Sequence, residues 1–136
     1  MKQLDVYLIY NGNCEEALNF YVEKLGGEIT ELSRFSEMPQ PVPEEHKNRL
    51  MHSVYTNDDV VIMASDGMPD QPMTIGNNVN LSVTYENLEA MEKAFANLSE
   101  GGKVIMELQD TFWGSRFGML EDKFGICWMF SHSKES

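Results

Sequence analysis

Cysteine is scarce in this chain: Cys14 and Cys127 are the only two among 136 residues, far apart and without C-x-x-C spacing. That pattern excludes a disulfide framework and a zinc knuckle, and leaves both as reduced thiols that pack. Basic side chains are scarce as well, 10 Lys and Arg against 22 Asp and Glu, for a formal charge of −12. Such a surface repels phosphate backbones and anionic headgroups, so no nucleic acid and no membrane is expected as a partner. Long apolar runs are missing: "VVIMA" falls far short of the roughly 20 residues of a membrane-spanning helix. The N-terminal "MKQLDVYLIY" lacks the apolar core and cleavage site of a signal peptide, which predicts a cytoplasmic protein. There is no GxSxG elbow, no GxxxxGK[ST] loop, and no glycine-rich fingerprint following a strand. These gaps exclude the common serine-hydrolase, P-loop and Rossmann chemistries.

What is present reads as ordinary globular sequence, with 42% apolar and 24% charged residues and no low-complexity block, long enough for a single domain. "LDVYLIY" (4–10) is a strand by its β-branched and aromatic content, and "NGN" breaks it. Asn13 with Glu16 three residues on resembles a capping box. Cys14, Ala17, Leu18, Tyr21, Val22 and Leu25 follow at helical spacing, and Gly26-Gly27 stops the helix. "EITELSRF" (28–35), "RLMHSVYT" (49–56) and "DVVIMAS" (59–65) are three more strand candidates, the first two separated by a loop with prolines at 39, 41 and 43.

The order then recurs. "NVNLSVTY" (78–85) is a strand, and Asn87 caps a helix carrying Leu88, Met91, Phe95 and Leu98. Gly101-Gly102 stops that helix, and "KVIMEL", "SRFGML" and "ICWMF" follow as strands, with "EDKFG" as the last turn. The two caps lie 74 residues apart and the two Gly-Gly stops 75 apart. Matching landmarks of this kind point to an internal repeat. The expected fold is α+β, two βαβββ units over about 1–66 and 77–136, packed as one domain because neither half is large enough to close a core easily alone.

Paired units of this size resemble the vicinal oxygen chelate superfamily of glyoxalase I, bleomycin-resistance proteins, extradiol dioxygenases and fosfomycin-resistance enzymes. "GNCEEALNFYVEKLGGEI", "SRFSEMP", "MHSVYTNDDVVIMASD" and "GGKVIMELQDTFWGSRFGMLEDKFGICWMF" are similar, in this order and spacing, to its PhnB-like branch. The resemblance covers nearly the whole chain. It implies that each unit curls into half of a mixed-sheet cup, with helices outside and a ligand or metal inside. Metal-dependent members carry His, Gln or Glu on the first and last strand of each unit. The corresponding positions here fall near Val6, Met63, Asn78 and Met129, none a His or carboxylate. Shifting the register by one brings in Tyr7, Ile62 or Ala64, Val79, and Trp128 or Phe130, which supply no divalent-metal ligand set either. No metal and no cofactor is therefore expected. Related sequences have been described as ubiquinone-pathway methyltransferases, but that cofactor normally needs a doubly wound sheet that this chain does not supply.

The candidate chemistry rests on few residues. His46 lies in a Pro/Glu-rich loop and His132 in the C-terminal segment, where solvent exposure is expected of both. His52 alternates with Leu50 and Val54 in a strand, at a place where the PhnB-like pattern has a histidine. It is either a hydrogen-bonded core or dimer residue, or an acid/base or ligand-contact group, since imidazoles exchange protons near neutrality. Arg116 follows Trp113-Gly114 and must be paired or must meet an anionic ligand. The open choices are a salt bridge with Glu107, Asp110, Glu121 or Asp122, or a place in the site. Arg34 is expected to bridge Glu37. Trp128, alternating with Ile126 and Phe130, is expected in the core. Phe112 and Trp113 offer rigid aromatic area to a ligand or to a subunit. Tyr7, Asn78, Asn80, Ser65 and Asp66 either add polar contacts inside the cup or satisfy local backbone groups. Met63 and Met129 complete the expected ligand-binding set.

Three functions are consistent with these residues. The favoured one is metal-independent small-molecule binding, of a sequestering or resistance type, in a homodimer. The second is a metal-dependent lyase, isomerase or dioxygenase using His52 and an acidic partner such as Glu107 around a metal at non-standard positions. The third is a structural or regulatory homodimer whose aromatic cluster is an interface.

Overall fold

A run rich in β-branched and aromatic residues at 6–10, broken by Asn11 and Gly12, opens the first of two compact units of similar make-up, Met1–Thr74 and Ile75–Ser136. The structure is a computed structural model, which describes residues 1–68 and 70–133. The first unit contains β1 (Val6–Tyr10), α1 (Cys14–Leu25), β2 (Glu28–Arg34), β3 (Leu50–Asn57) and β4 (Val60–Asp66). The second contains β5 (Asn80–Thr84), α2 (Leu88–Leu98), β6 (Lys103–Asp110), β7 (Ser115–Glu121) and β8 (Cys127–Ser133). The strand orders are β1-β4-β3-β2 and β5-β8-β7-β6. In each sheet the first and last strands run parallel and the remaining pairs are antiparallel. The two βαβββ units of the sequence reading are present, with strand ends moved by a few residues. No helix among the described residues is long and apolar enough to cross a membrane.

Each helix buries most of the stripe its spacing predicts, although Val22 and Leu25 are half-buried and Leu88, in the first turn of α2, is exposed. α1 buries Cys14, Ala17, Leu18, Phe20 and Tyr21, and α2 buries Met91, Ala94, Phe95 and Leu98. In the first unit Tyr10 and Tyr21 share a hydroxyl hydrogen bond of 2.9 Å, and Tyr21 meets Tyr55 edge-on. In the second, Phe95 meets Phe130 edge-on, and Trp128 is buried as expected. Burying aromatics of this size is the largest apolar contribution to each core.

The helix starts differ. Asn87 caps α2 as expected, its Oδ1 accepting from the Ala90 N–H at 2.8 Å. Asn13 makes no side-chain cap. A carboxylate from another strand takes that place: Asp66 Oδ1 accepts from the N–H groups of Gly12 and Cys14 at 2.9 Å, and Oδ2 accepts from Leu50 N–H at 2.8 Å. The cause is topological. Because β1 and β4 are parallel and Tyr10 pairs with Asp66, both strands end where α1 begins. An ionised acceptor there satisfies orphan donors and faces the positive end of the helix.

The Gly-Gly stops serve two purposes. Gly26, at φ 86°, closes α1 by donating its N–H to Val22 O. Its own carbonyl accepts from the Tyr55 hydroxyl at 2.6 Å, and the Leu25 carbonyl accepts from Asn57 Nδ2 at 3.1 Å. A side chain on Gly27 would collide with the Thr56 carbonyl, and one on Gly102 with that of Glu121. The second glycine of each pair therefore lets the chain enter its strand hard against the neighbouring one.

Asp122 organises the hairpin between β7 and β8. Oδ1 accepts from the N–H groups of Phe124 and Ile126 at 2.8 and 3.1 Å, and Oδ2 accepts from the Trp128 indole N–H at 2.9 Å. Cys14 is fully buried against Ser53. Burial, reinforced by the charge of Asp66 and offset in part by the Ser53 hydroxyl, pushes its thiol up to about 12.

Replacing Asp66 or Asp122 by Ala should lower unfolding free energy by on the order of 3 kcal/mol, since each change strands several donors in the interior; urea titration measures this, and a loss under about 1 kcal/mol would contradict the role assigned to these carboxylates. Cys14 should stay unreactive toward a thiol-disulfide reagent at pH 8 in the folded protein, because the thiolate is the nucleophile, and should be labelled once denaturant is added. Rapid labelling of native Cys14 would be inconsistent with its burial.

Candidate functional site

The face of the first sheet turned away from α1 is where the unit's polar chemistry stands clear of its core. Tyr10, Ser53 and Tyr55 face the helix through their contacts with Tyr21 and Cys14. Alternation then turns Tyr7 and Ile9 of β1 to the other face. The ladder sets Tyr7 beside Met63, Met63 beside Val54, and Ile9 beside Ser65. His52, two residues before Val54, shares that face with them. Tyr7 and Ile9 are 44% and 45% exposed, so this is apolar surface left in reach of a ligand.

On this face the Tyr7 hydroxyl lies 3.0 Å from His52 Nδ1, with the ring centroids 5.8 Å apart. The contact spans the width of β4, with Met63 between the two partners' strands. His52 Nε2 has no protein partner among the described residues and is not sealed from solvent. Of the expected ligand-binding residues, the first unit thus brings Tyr7, His52 and Met63 together. Ile9, outside the expected set, joins them, and the period-two alternation starting at Tyr7 marks it.

The second unit carries a different arrangement on the corresponding face. Ser82 pairs with Met129, and Met129 with Met119, while Asn80 pairs with Cys127. Ser82 therefore stands where the first unit has Tyr7, and Phe117, two residues before Met119, stands where it has His52. The turn before β7 is closed by Thr111, whose N–H and Oγ1 both donate to Ser115 O at 2.8 and 2.9 Å. That turn pushes Phe112 and Trp113 outward, 98% and 61% exposed. Trp113 meets Phe112 edge-on at 5.0 Å and reaches Phe117 at 6.4 Å. Phe117 and Ser82 were not among the expected residues, because only the ladder register reveals them as neighbours of Trp113 and Met129.

Arg116 lies on the helix side of β7. Its Nε donates to Glu92 Oε1 of α2 at 3.0 Å and its Nη1 to Asp110 Oδ1 at 3.3 Å. Asp110 is among the partners that nearness in sequence offers; Glu92 is not, since only packing of α2 on the sheet brings it near. Asn78 lies exposed before β5 begins, outside the strand expected to hold it. Arg34 makes a bidentate pair with Glu15 at 2.9 and 2.8 Å, and the hydrogen bond holds the Glu15 carboxyl below its ordinary range. Glu37 takes the Arg34 backbone N–H instead of the expected guanidinium. His132 is half-buried in β8, where its Nδ1 meets the Tyr85 carbonyl at 2.9 Å, and the His46 side chain is mostly covered. Solvent exposure was expected of both. Asp66 belongs to the backbone of residues 12, 14 and 50, and the Glu107 of the second unit is exposed.

At the positions where metal-dependent relatives hold ligands, the register resolves the choice between neighbours. Tyr7, not Val6, shares the open face with Met63; in the second unit Asn78 and Val79 both precede β5, and the residue opposite Met129 is Ser82, outside the expected pair. A phenol, a hydroxyl and two thioethers do not suit a hard or borderline divalent ion. Among the described residues no group of three or more His, Cys, Asp or Glu side chains is arranged to hold one.

Comparison with known proteins agrees with the fold. Residues 3–130 match the family model of the Glyoxalase/Bleomycin resistance protein/Dioxygenase superfamily. The chain is 31% identical to Protein YjdN of Escherichia coli, over 97% of this chain and 96% of that one. It superimposes on protein PA1353 of Pseudomonas aeruginosa with a TM-score of 0.86 at 35% identity, covering 98% of both chains. A Bacillus cereus structure described as a putative 3-demethylubiquinone-9 3-methyltransferase, PhnB protein, matches with a TM-score of 0.76 at 26% identity, over 97% of this chain and 100% of that one. With its paired βαβββ units and these relatives, the chain belongs to the glyoxalase/bleomycin resistance/dioxygenase superfamily, that of the vicinal oxygen chelate fold, and has PhnB-like relatives.

Proposed function

We propose that this protein binds a small, largely apolar molecule without a metal, in a sequestering or resistance-type role, and that Tyr7, His52, Met63 and Ile9 form its contact surface in the first unit. The observation that carries this reading is the 3.0 Å contact between Tyr7 and His52 on a face where Ile9, Val61, Met63 and Val54 supply the apolar part and Ser65, Ser33 and Glu31 are the other polar residues. A half-exposed hydrogen bond of this kind adds only about 1 kcal/mol to folding. Its use is better understood as a fixed polar point on an apolar platform, the usual composition of a ligand site. Met63 adds an adaptable wall, since thioether side chains reshape at little cost. Phe112, Trp113 and Phe117 give the second unit an aromatic surface suited to planar groups.

The exposure of Phe112 and Trp113 also favours a second reading, a homodimer with this aromatic corner at its interface, because such apolar area in water marks association sites.

Thermal melts against a panel of small aromatic and carbonyl compounds, repeated with EDTA, test the first reading. A ligand at a hundredfold its Kd adds about 2.7 kcal/mol, enough to raise Tm by several degrees. The shift should persist in EDTA and vanish in the Tyr7→Phe/His52→Ala double variant. Loss of the shift on chelation, or equal shifts in the double variant, would count against it. For the second reading, sedimentation of the Phe112→Ser/Trp113→Ser variant should show weakened self-association; an unchanged profile would remove the corner from any interface.

A further inference from the structure

The Tyr7 to His52 contact has a direction, and that direction selects a ligand class. We infer that Tyr7 donates its hydroxyl proton to His52 Nδ1, fixes the imidazole with its proton on Nε2, and so makes His52 a hydrogen-bond donor for an uncharged oxygen acceptor, a ketone, ester or amide, on an apolar body. The inference rests on the binding reading above and deepens it.

Two chemical facts set the direction. A phenol is a good donor and a poor acceptor, because its oxygen lone pair is delocalised into the ring. The unprotonated nitrogen of a neutral imidazole is a strong acceptor, so O–H···N is the favoured pairing at 3.0 Å. A neutral imidazole has one proton, and a nitrogen that accepts from Tyr7 leaves that proton on the other. Nε2 is the nitrogen with no protein partner among the described residues and with access to solvent. A ligand that covers it must supply an acceptor or leave a donor stranded.

The surroundings narrow the acceptor further. Glu31 pairs with Val54 on the same face, and the chain carries a formal charge of −12. Both disfavour a carboxylate or phosphate. A cationic donor would meet Nε2–H as donor against donor. The remaining fit is a neutral oxygen, with Ile9 and Met63 beside it for the apolar part. Tyr7 in this scheme is a positioning residue, acting on the ligand through the tautomer of His52.

Three probes of one shape separate the possibilities: acetophenone, benzoate and benzylammonium. Long-range nitrogen–proton NMR of His52 in its neutral form should show Nδ1 as the acceptor and Nε2 as the protonated nitrogen. Acetophenone should shift the Nε2 signal most, benzoate less, and benzylammonium not at all. Tyr7→Phe should move the Nδ1 resonance, mix the tautomers, and weaken acetophenone by about twofold, in proportion to the share of His52 that no longer carries its proton on Nε2. A proton on Nδ1 in the wild-type protein, or benzylammonium binding better than acetophenone, would overturn this inference while leaving small-molecule binding intact. Failure of all three probes to bind would overturn the binding reading and this inference with it.

Discussion

Parallel pairing of the first and last strands is the constraint on which each unit depends. In the first unit it ends β1 and β4 together, with Tyr10 opposite Asp66. That places the Asp66 carboxylate under the start of α1, where it accepts from Gly12 and Cys14, and leaves its second oxygen for Leu50 at the start of β3. One side chain thus joins the helix entry, the last strand and the strand between. An ionised group buried to this degree is tolerable because three backbone donors replace its water. The same pairing inserts β4 between β1 and β3, which sets the distance that Tyr7 and His52 span across Met63.

The two units solve shared problems with different residues. The first starts its helix on a carboxylate from β4, whereas the second uses the local Asn87 cap, and its His132, opposite Arg116 in β8, binds the Tyr85 carbonyl. Their open faces diverge in the same way. Tyr7, Met63 and His52 in one correspond to Ser82, Met129 and Phe117 in the other. The two units therefore share their ladder and glycine contacts while their open faces differ in chemistry: a polar pair on one, an aromatic corner on the other. This is the behaviour expected when fold is set by packing and function by a few outward side chains.

Arg116 and Trp113 show how neighbours in sequence part in space. Trp113 projects from a closed turn, while Arg116 enters β7 and alternation sends it to the helix side, where Glu92 and Asp110 bind it. Sequence leaves Arg116 free to join Trp113 in a site or to pair with a carboxylate, and the strand pleat decides for the carboxylates.

The sequence by itself determined the element order, the recurrence of the βαβββ unit, most of each helix stripe and the glycine that closes α1, because these follow from local periodicity and backbone freedom; the second glycine of each pair answers to a carbonyl on a neighbouring strand. It also marked Trp128 as a core residue by alternation. Tertiary structure alone decided what depends on register between distant strands: Asp66 in place of Asn13 at the helix start, Glu92 beside Arg116, and Tyr7 within a hydrogen bond of His52. Side-chain direction is readable along one strand, but a one-residue slip between strands exchanges every face. Only the folded ladder, with Tyr7 opposite Met63, removes that ambiguity.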